Sequence, residues 1–126
     1  MTSALQILSA SRAAVGAGTW AAPGPSWRTF GLGSLADAGP SAGIISRLFG
    51  ARELALALGL RHPDPAVRRV VLQAGLAIDS IDVAASLIGL RNGAPRATLL
   101  GVAAGAASFV ALGAVALGQD RPGRVS

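Results

Sequence analysis

The chain contains no cysteine, no lysine and no tyrosine, and it has a single histidine, His62. Without cysteine there is neither a disulfide framework nor a thiolate metal site. His62 lies in "RHPDP" (61–65), which reads as a loop. One histidine excludes three-histidine metal sites and Ser–His–Asp or Cys–His nucleophile systems within one chain. Charge is also scarce: 13% of residues are charged, about half the share in an ordinary soluble domain. No phosphate-cradling loop, nucleotide fingerprint or metal motif is present, and no cofactor is expected.

What is abundant is apolar and small. Hydrophobic residues make up 52% of the 126, mostly Ala, Leu, Val and Ile, joined by 17 Gly. This fits one domain, residues 1–126. All eleven basic residues are Arg, which, with the Ala and Gly content, points to a GC-rich bacterial genome. Four stretches approach the roughly 20 apolar residues needed to cross hydrocarbon. They predict helices over 3–22, 43–60, 67–90 and 97–117, closed by "PGP", "RHPDP", "RNGAP" and "GQDRPG". No useful β-alternation appears. The segment 23–42 is expected to be an interfacial loop, with Trp27, Phe30 and the preceding Trp20 as an aromatic anchor. Two alternatives fit less well. A signal peptide over 1–22 would need a basic start and an uninterrupted apolar core, but Arg12 interrupts it. A soluble bundle would show polar outer helix faces, whereas these carry Leu, Ile, Val and Ala. The expected fold is therefore an all-α, four-helix transmembrane bundle.

The charges sort by position. Eight arginines and three aspartates lie outside the helical cores and account for the whole net charge of +5. That excess reads as topology and lipid-headgroup contact rather than nucleic-acid binding. With both termini on one side, Arg61, Arg68, Arg69, Arg121 and Arg124 face Arg28, Arg91 and Arg96 across the membrane. This predicts a multi-pass protein of the bacterial cytoplasmic membrane with cytoplasmic termini. The cores hold Arg12, Arg47 and Arg52 against Glu53, Asp79 and Asp82. Isolated charges at bilayer depth are expensive, so pairing is expected. Depth matches Arg47 with Asp82, and Arg12 and Arg52 with Asp79 and Glu53.

Helical spacing gives each helix a small or polar stripe. The third carries Gly75, Asp79, Asp82, Ser86 and Gly89; the first carries Ser9, Arg12, Gly16 and Thr19; the second carries Ser46, Gly50, Glu53 and Ala57. The fourth carries Thr98, Gly101, Gly105 and Ser108. All four stripes are expected to face a common interior and let the helices approach closely. Arg52 falls off its stripe and is expected to reach a flanking helix, snorkel, or meet a second protomer.

The stretch "RLFGARELALALGL" (47–60), preceded by the Arg12/Gly16 helix ending at Pro23, carries a family resemblance. With the acidic third and glycine-rich fourth helices, it resembles the small uncharacterised four-helix integral membrane proteins of actinobacteria, a domain-of-unknown-function family. The resemblance covers roughly residues 3–118, and its most specific part is Arg-x-x-Gly-Ala-Arg-Glu at 47–53. It implies a membrane location and no activity.

Three functions compete. The first is a structural or partner-binding membrane subunit, in which the ion pairs set helix register. The second is a membrane-embedded cyclase, isomerase or epoxide-opening enzyme acting on a lipophilic substrate. There Asp79, Asp82 and Glu53 would be the acid/base set, and Arg12, Arg47 and Arg52 would stabilise charge. The third is a proton or ion relay in an oligomer. The expected partners are the lipid bilayer, a homo-oligomer or membrane protein, and on the enzyme reading a lipophilic small molecule.

Overall fold

A computed structural model describes residues 3–29, 39–93 and 96–119. Five α-helices account for nearly all of them: α1 (Ser3–Ala21), α2 (Pro23–Thr29), α3 (Pro40–Gly59), α4 (Pro65–Arg91) and α5 (Arg96–Gln119). The all-α expectation holds; α4 and α5 extend one or two residues at each end and α3 begins three residues earlier, while α1 and α3 each end one residue sooner than expected. Proline causes much of the difference. The first helix closes before Pro23 as expected, and Pro23 in addition opens the short helix α2. Pro40 and Pro65 likewise take first-turn positions, where a missing N–H costs nothing. The expected interfacial loop 23–42 therefore contains α2 and the first turn of α3. Phe30 and Asp37 lie outside the described residues, as do Asp120, Arg121 and Arg124.

The ends of α3 and α4 follow local chemistry. Gly39 precedes α3 with φ 91 and ψ −170, a conformation essentially restricted to glycine. At the start of α4, the Asp64 side chain accepts a hydrogen bond from the Ala66 N–H at 2.9 Å. Its other end closes at Asn92, followed by Gly93 with φ 83, the left-handed residue that commonly ends helices.

The long helices pack as two close pairs, α1 with α3 and α4 with α5. Helix α1 also packs on α5, while α3 meets α4 only sparingly. Among the described residues, α1 and α4 have no Cα–Cα approach within 8 Å, so they lie across the assembly from each other.

The interior is layered. One end is an apolar core of Ala4, Leu5 and Leu8 from α1, Leu60 after α3, Leu72 of α4 and Ala116 of α5. The middle holds buried Arg12, Glu53 and Asp79. Beyond it, α1 and α3 cross at Gly16 and Gly50. A Cβ added at Gly16 would stand 2.8 Å from the Gly50 carbonyl oxygen, and one at Gly50 would stand 2.7 Å from that of Gly16. Ser46 Oγ donates to the Thr19 carbonyl at 2.6 Å, and Ser9 Oγ donates to the Ala57 carbonyl at 3.2 Å. The expected stripes of the first two helices thus meet face to face.

The expected stripe of the fourth helix does not face inward. Gly105 and Ser108 are exposed, and a Cβ at Gly105 would meet nothing within 4 Å. The inward face of α5 is Ala106, Phe109, Gly113 and Ala116. The Thr98 side chain lies outside the described residues. In an Ala- and Gly-rich helix every face is small, so spacing alone does not select one.

Two helical segments, Pro65–Arg91 and Leu99–Gln119, are long and apolar enough to cross a membrane. Helix α3, with Arg47, Arg52 and Glu53, and α1, with Gln6 and Arg12, are not among them.

Candidate functional site

Arg12 sits near the middle of α1 and is 1% exposed. Its guanidinium touches every other long helix. Nη1 donates to Glu53 Oε2 of α3 at 2.8 Å and to Asp79 Oδ1 of α4 at 3.3 Å. Nη2 donates to Asp79 Oδ2, completing a two-nitrogen grip on that carboxylate. The Phe109 ring of α5 lies beneath, its centroid 4.6 Å from Cζ. One planar cation thus bridges the gap between α1 and α4 that their backbones leave open. The space for it comes from Gly75, where an added Cβ would stand 2.9 Å from Arg12 Nη2. Glu53 and Asp79 are each 1% exposed, so these charges depend on one another rather than on water.

A second guanidinium adjoins the first. Arg52 Nη2 donates to Asp82 Oδ2 at 2.9 Å and to Glu53 Oε1 at 3.4 Å, and its Cζ lies 4.8 Å from the Phe49 ring centroid. This pair reaches the surface: the side chains of Arg52 and Asp82 are 34% and 28% exposed. Glu53, between the two arginines, links the groups into a five-membered cluster.

The expected pairing is corrected in one respect. Asp82 is held by Arg52, not by Arg47. Arg47 is exposed, and no carboxylate partners it among the described residues. Matching depth was insufficient because helical rotation separates the two arginines. They are five positions apart, roughly 500° of turn, or about 140° around the axis. Arg52, off the small-residue stripe of α3, is the one that points toward α4. This changes the charge balance. The expected interior held three arginines and three carboxylates; the observed cluster holds Arg12 and Arg52 with Glu53, Asp79 and Asp82.

The two phenylalanines under the guanidiniums were not anticipated. Phe109 is the sole aromatic residue of α5, which was the available signal. Trp27 of the expected interfacial anchor packs near Phe49, with centroids 6.1 Å apart, and Trp20 is exposed. A cavity of about 480 Å³ lies between α2 and the start of α3, lined by Trp27, Pro40, Gly43 and Arg47 among others. It is remote from the carboxylates: Arg47 and Glu53 are six residues apart, roughly 9 Å along α3. No grouping of His, Asp and Glu suited to a metal occurs among the described residues. Comparison of the chain with family models, curated proteins and solved structures gives no match.

Proposed function

We propose that this chain is an integral membrane protein whose four long helices all cross the bilayer, and that it serves as a structural or partner-binding subunit. The observation that carries the membrane reading is an inverted distribution of polarity. Arg12, Glu53 and Asp79 are sealed inside, whereas Ile45, Leu48, Leu58 and Ile81 are 63–73% exposed. In water such a surface would be an aggregation liability. In hydrocarbon it is the favoured arrangement, with charged groups turned inward onto each other. Charge on α1 and α3 is no more an obstacle to crossing than Asp79 is on α4, because Arg12 and Glu53 are turned inward onto the same cluster.

The structural role rests on occupancy. Each of Glu53, Asp79 and Asp82 accepts from a guanidinium. A carboxylate clamped in this way holds helices in register, and it is poorly placed to protonate a substrate. The described cavity lies elsewhere, which further favours a structural cluster over an acid/base site.

Orientation with cytoplasmic termini is part of the proposal, from the arginine distribution. Because the chain has no cysteine, single introduced cysteines test it cleanly. In intact cells a membrane-impermeant thiol reagent should label Ser41→Cys and Asn92→Cys, and His62→Cys only after permeabilisation. If only α4 and α5 cross, Ser41→Cys will behave like His62→Cys, and the four-span reading is lost.

A further inference from the structure

We propose that the cavity between α2 and the start of α3 binds a phosphate-bearing anion, with Arg47 and the Trp27 indole N–H as its ligands. The site lies apart from the Arg12 cluster. Its chemistry does not depend on the membrane reading; only the source of the phosphate, a lipid headgroup or a free phosphate ester, does.

The cavity holds about 480 Å³, within the range of roughly 300–1,000 Å³ common for small-molecule sites. Its two walls share one local arrangement. On α2, Arg28 Nη1 stands 3.5 Å from where a Cβ would be at Gly24; on α3, Arg47 Nη1 stands 3.5 Å from where a Cβ would be at Gly43. Both glycines line the cavity, as does Arg47 itself. Each arginine therefore lies back along its own helix, over a glycine four residues earlier. No carboxylate lines the cavity among the described residues. Two cations beside one cavity without an acidic group set up a field that selects an anion. The first turn of α3, which opens at the cavity with no side-chain cap, adds the partial positive charge of a helix start.

Trp27 adds an unmet donor. Its Nε1 is buried and has no hydrogen-bond acceptor among the described residues, a rare and costly condition. Trp27 lines the cavity, and its ring is seated near Phe49 with centroids 6.1 Å apart. An oxyanion in the cavity supplies the acceptor. Phosphate suits these donors, because a guanidinium binds two of its oxygens in one plane and leaves a third for the indole N–H. A carboxylate gripped in that way has no third oxygen to offer. Depth agrees as well. Gly43, over which the Arg47 guanidinium lies, is three residues after Pro40, roughly 5 Å into α3. On the four-span reading that is close to the headgroups, and Arg47 turns toward them as a snorkelling arginine does.

The test uses the full chain, delipidated in dodecylmaltoside, a detergent without phosphate, and labelled with ¹⁵N-tryptophan. The chain has two tryptophans, so its NMR spectrum holds two indole N–H signals, which Trp20→Phe assigns. Glycerol phosphate and phosphatidylglycerol are titrated separately, against acetate and diacylglycerol as controls without phosphate. The Trp27 signal should move saturably with at least one phosphate-bearing probe and with neither control. Arg47→Gln should weaken that response about tenfold or more, the loss of a charge-assisted contact. Arg47 is exposed and outside the buried cluster, so the variant is expected to fold. Saturation by phosphatidylglycerol alone assigns the site to a lipid headgroup; saturation by glycerol phosphate, with or without the lipid, assigns it to a free phosphate ester. No saturable movement of the Trp27 signal, equal movement with acetate or diacylglycerol, or an unchanged affinity in folded Arg47→Gln would overturn the proposal. Release of the wild-type protein from membranes by alkaline carbonate overturns the membrane reading alone, and the glycerol phosphate titration then still decides the site.

Discussion

Arg12 concentrates the energetics of the interior in one side chain. Its removal leaves Glu53 and Asp79 buried without their cation, the situation in which a broken buried pair costs about 3–5 kcal/mol. Arg12→Leu is accordingly expected to lower stability by that order in equilibrium unfolding from mixed micelles. Arg12→Lys should recover only part of the loss, because an ammonium cannot grip Asp79 through two coplanar nitrogens while also reaching Glu53. The importance of Arg12 was visible in the sequence as a charge in the middle of an apolar run. Its partners were legible by depth. The rings of Phe109 and Phe49 were not, because an aromatic residue on an apolar helix carries no mark of what it stacks against.

At the scale of the helices, glycine has opposite meanings at two places. Gly50 stands where the α1 and α3 backbones touch, and a Cβ there would press on the Gly16 carbonyl oxygen and the Trp20 nitrogen. Backbone yields poorly, so Gly50→Ala is expected to destabilise by about 1–3 kcal/mol. Gly105 faces open space on α5. Gly105→Ala should be neutral, or stabilising by up to about 1 kcal/mol through helix propensity. The same micelle unfolding measurement on both variants checks the assignment of faces; equal losses would show that the Gly101–Gly105 side of α5 is also packed. Both glycines belong to small-residue stripes of the same spacing. Periodicity identified the stripes but not which way the α5 stripe faces. Hydrophobicity does not distinguish lipid from protein interior, and in so uniform a helix only the position of neighbours does.

At the scale of the whole molecule, the cluster sets how α3 and α4 relate, since their backbones meet so little. If its role is structural, replacing the Arg52–Asp82 pair by Arg52→Leu with Asp82→Leu should preserve membrane insertion and assembly, as apolar replacements of buried pairs often do. Arg52→Leu alone should be worse than the double variant, because it strands Asp82 and half of the Glu53 contact. Thermal stability in micelles and migration on size exclusion are the measurements; a double variant as damaged as the single one would argue that the pair does more than hold helices.

Composition and period by themselves determined that the described residues are helical with no strand, where most helices lie, and which six charges stand in apolar runs. Those properties are local: they follow from runs of residues and from the fixed advance of an α-helix. Tertiary structure alone decided that Asp82 belongs to Arg52 and that Arg47 stands outside the cluster. The reason is rotation. Depth along a helix can be counted from sequence, but the direction of a side chain toward one neighbour depends on how all the helices are turned against each other. That turn was set by the Gly16–Gly50 contact and by the grip of Glu53, Asp79 and Phe109 on Arg12, and it left three carboxyls to share two arginines.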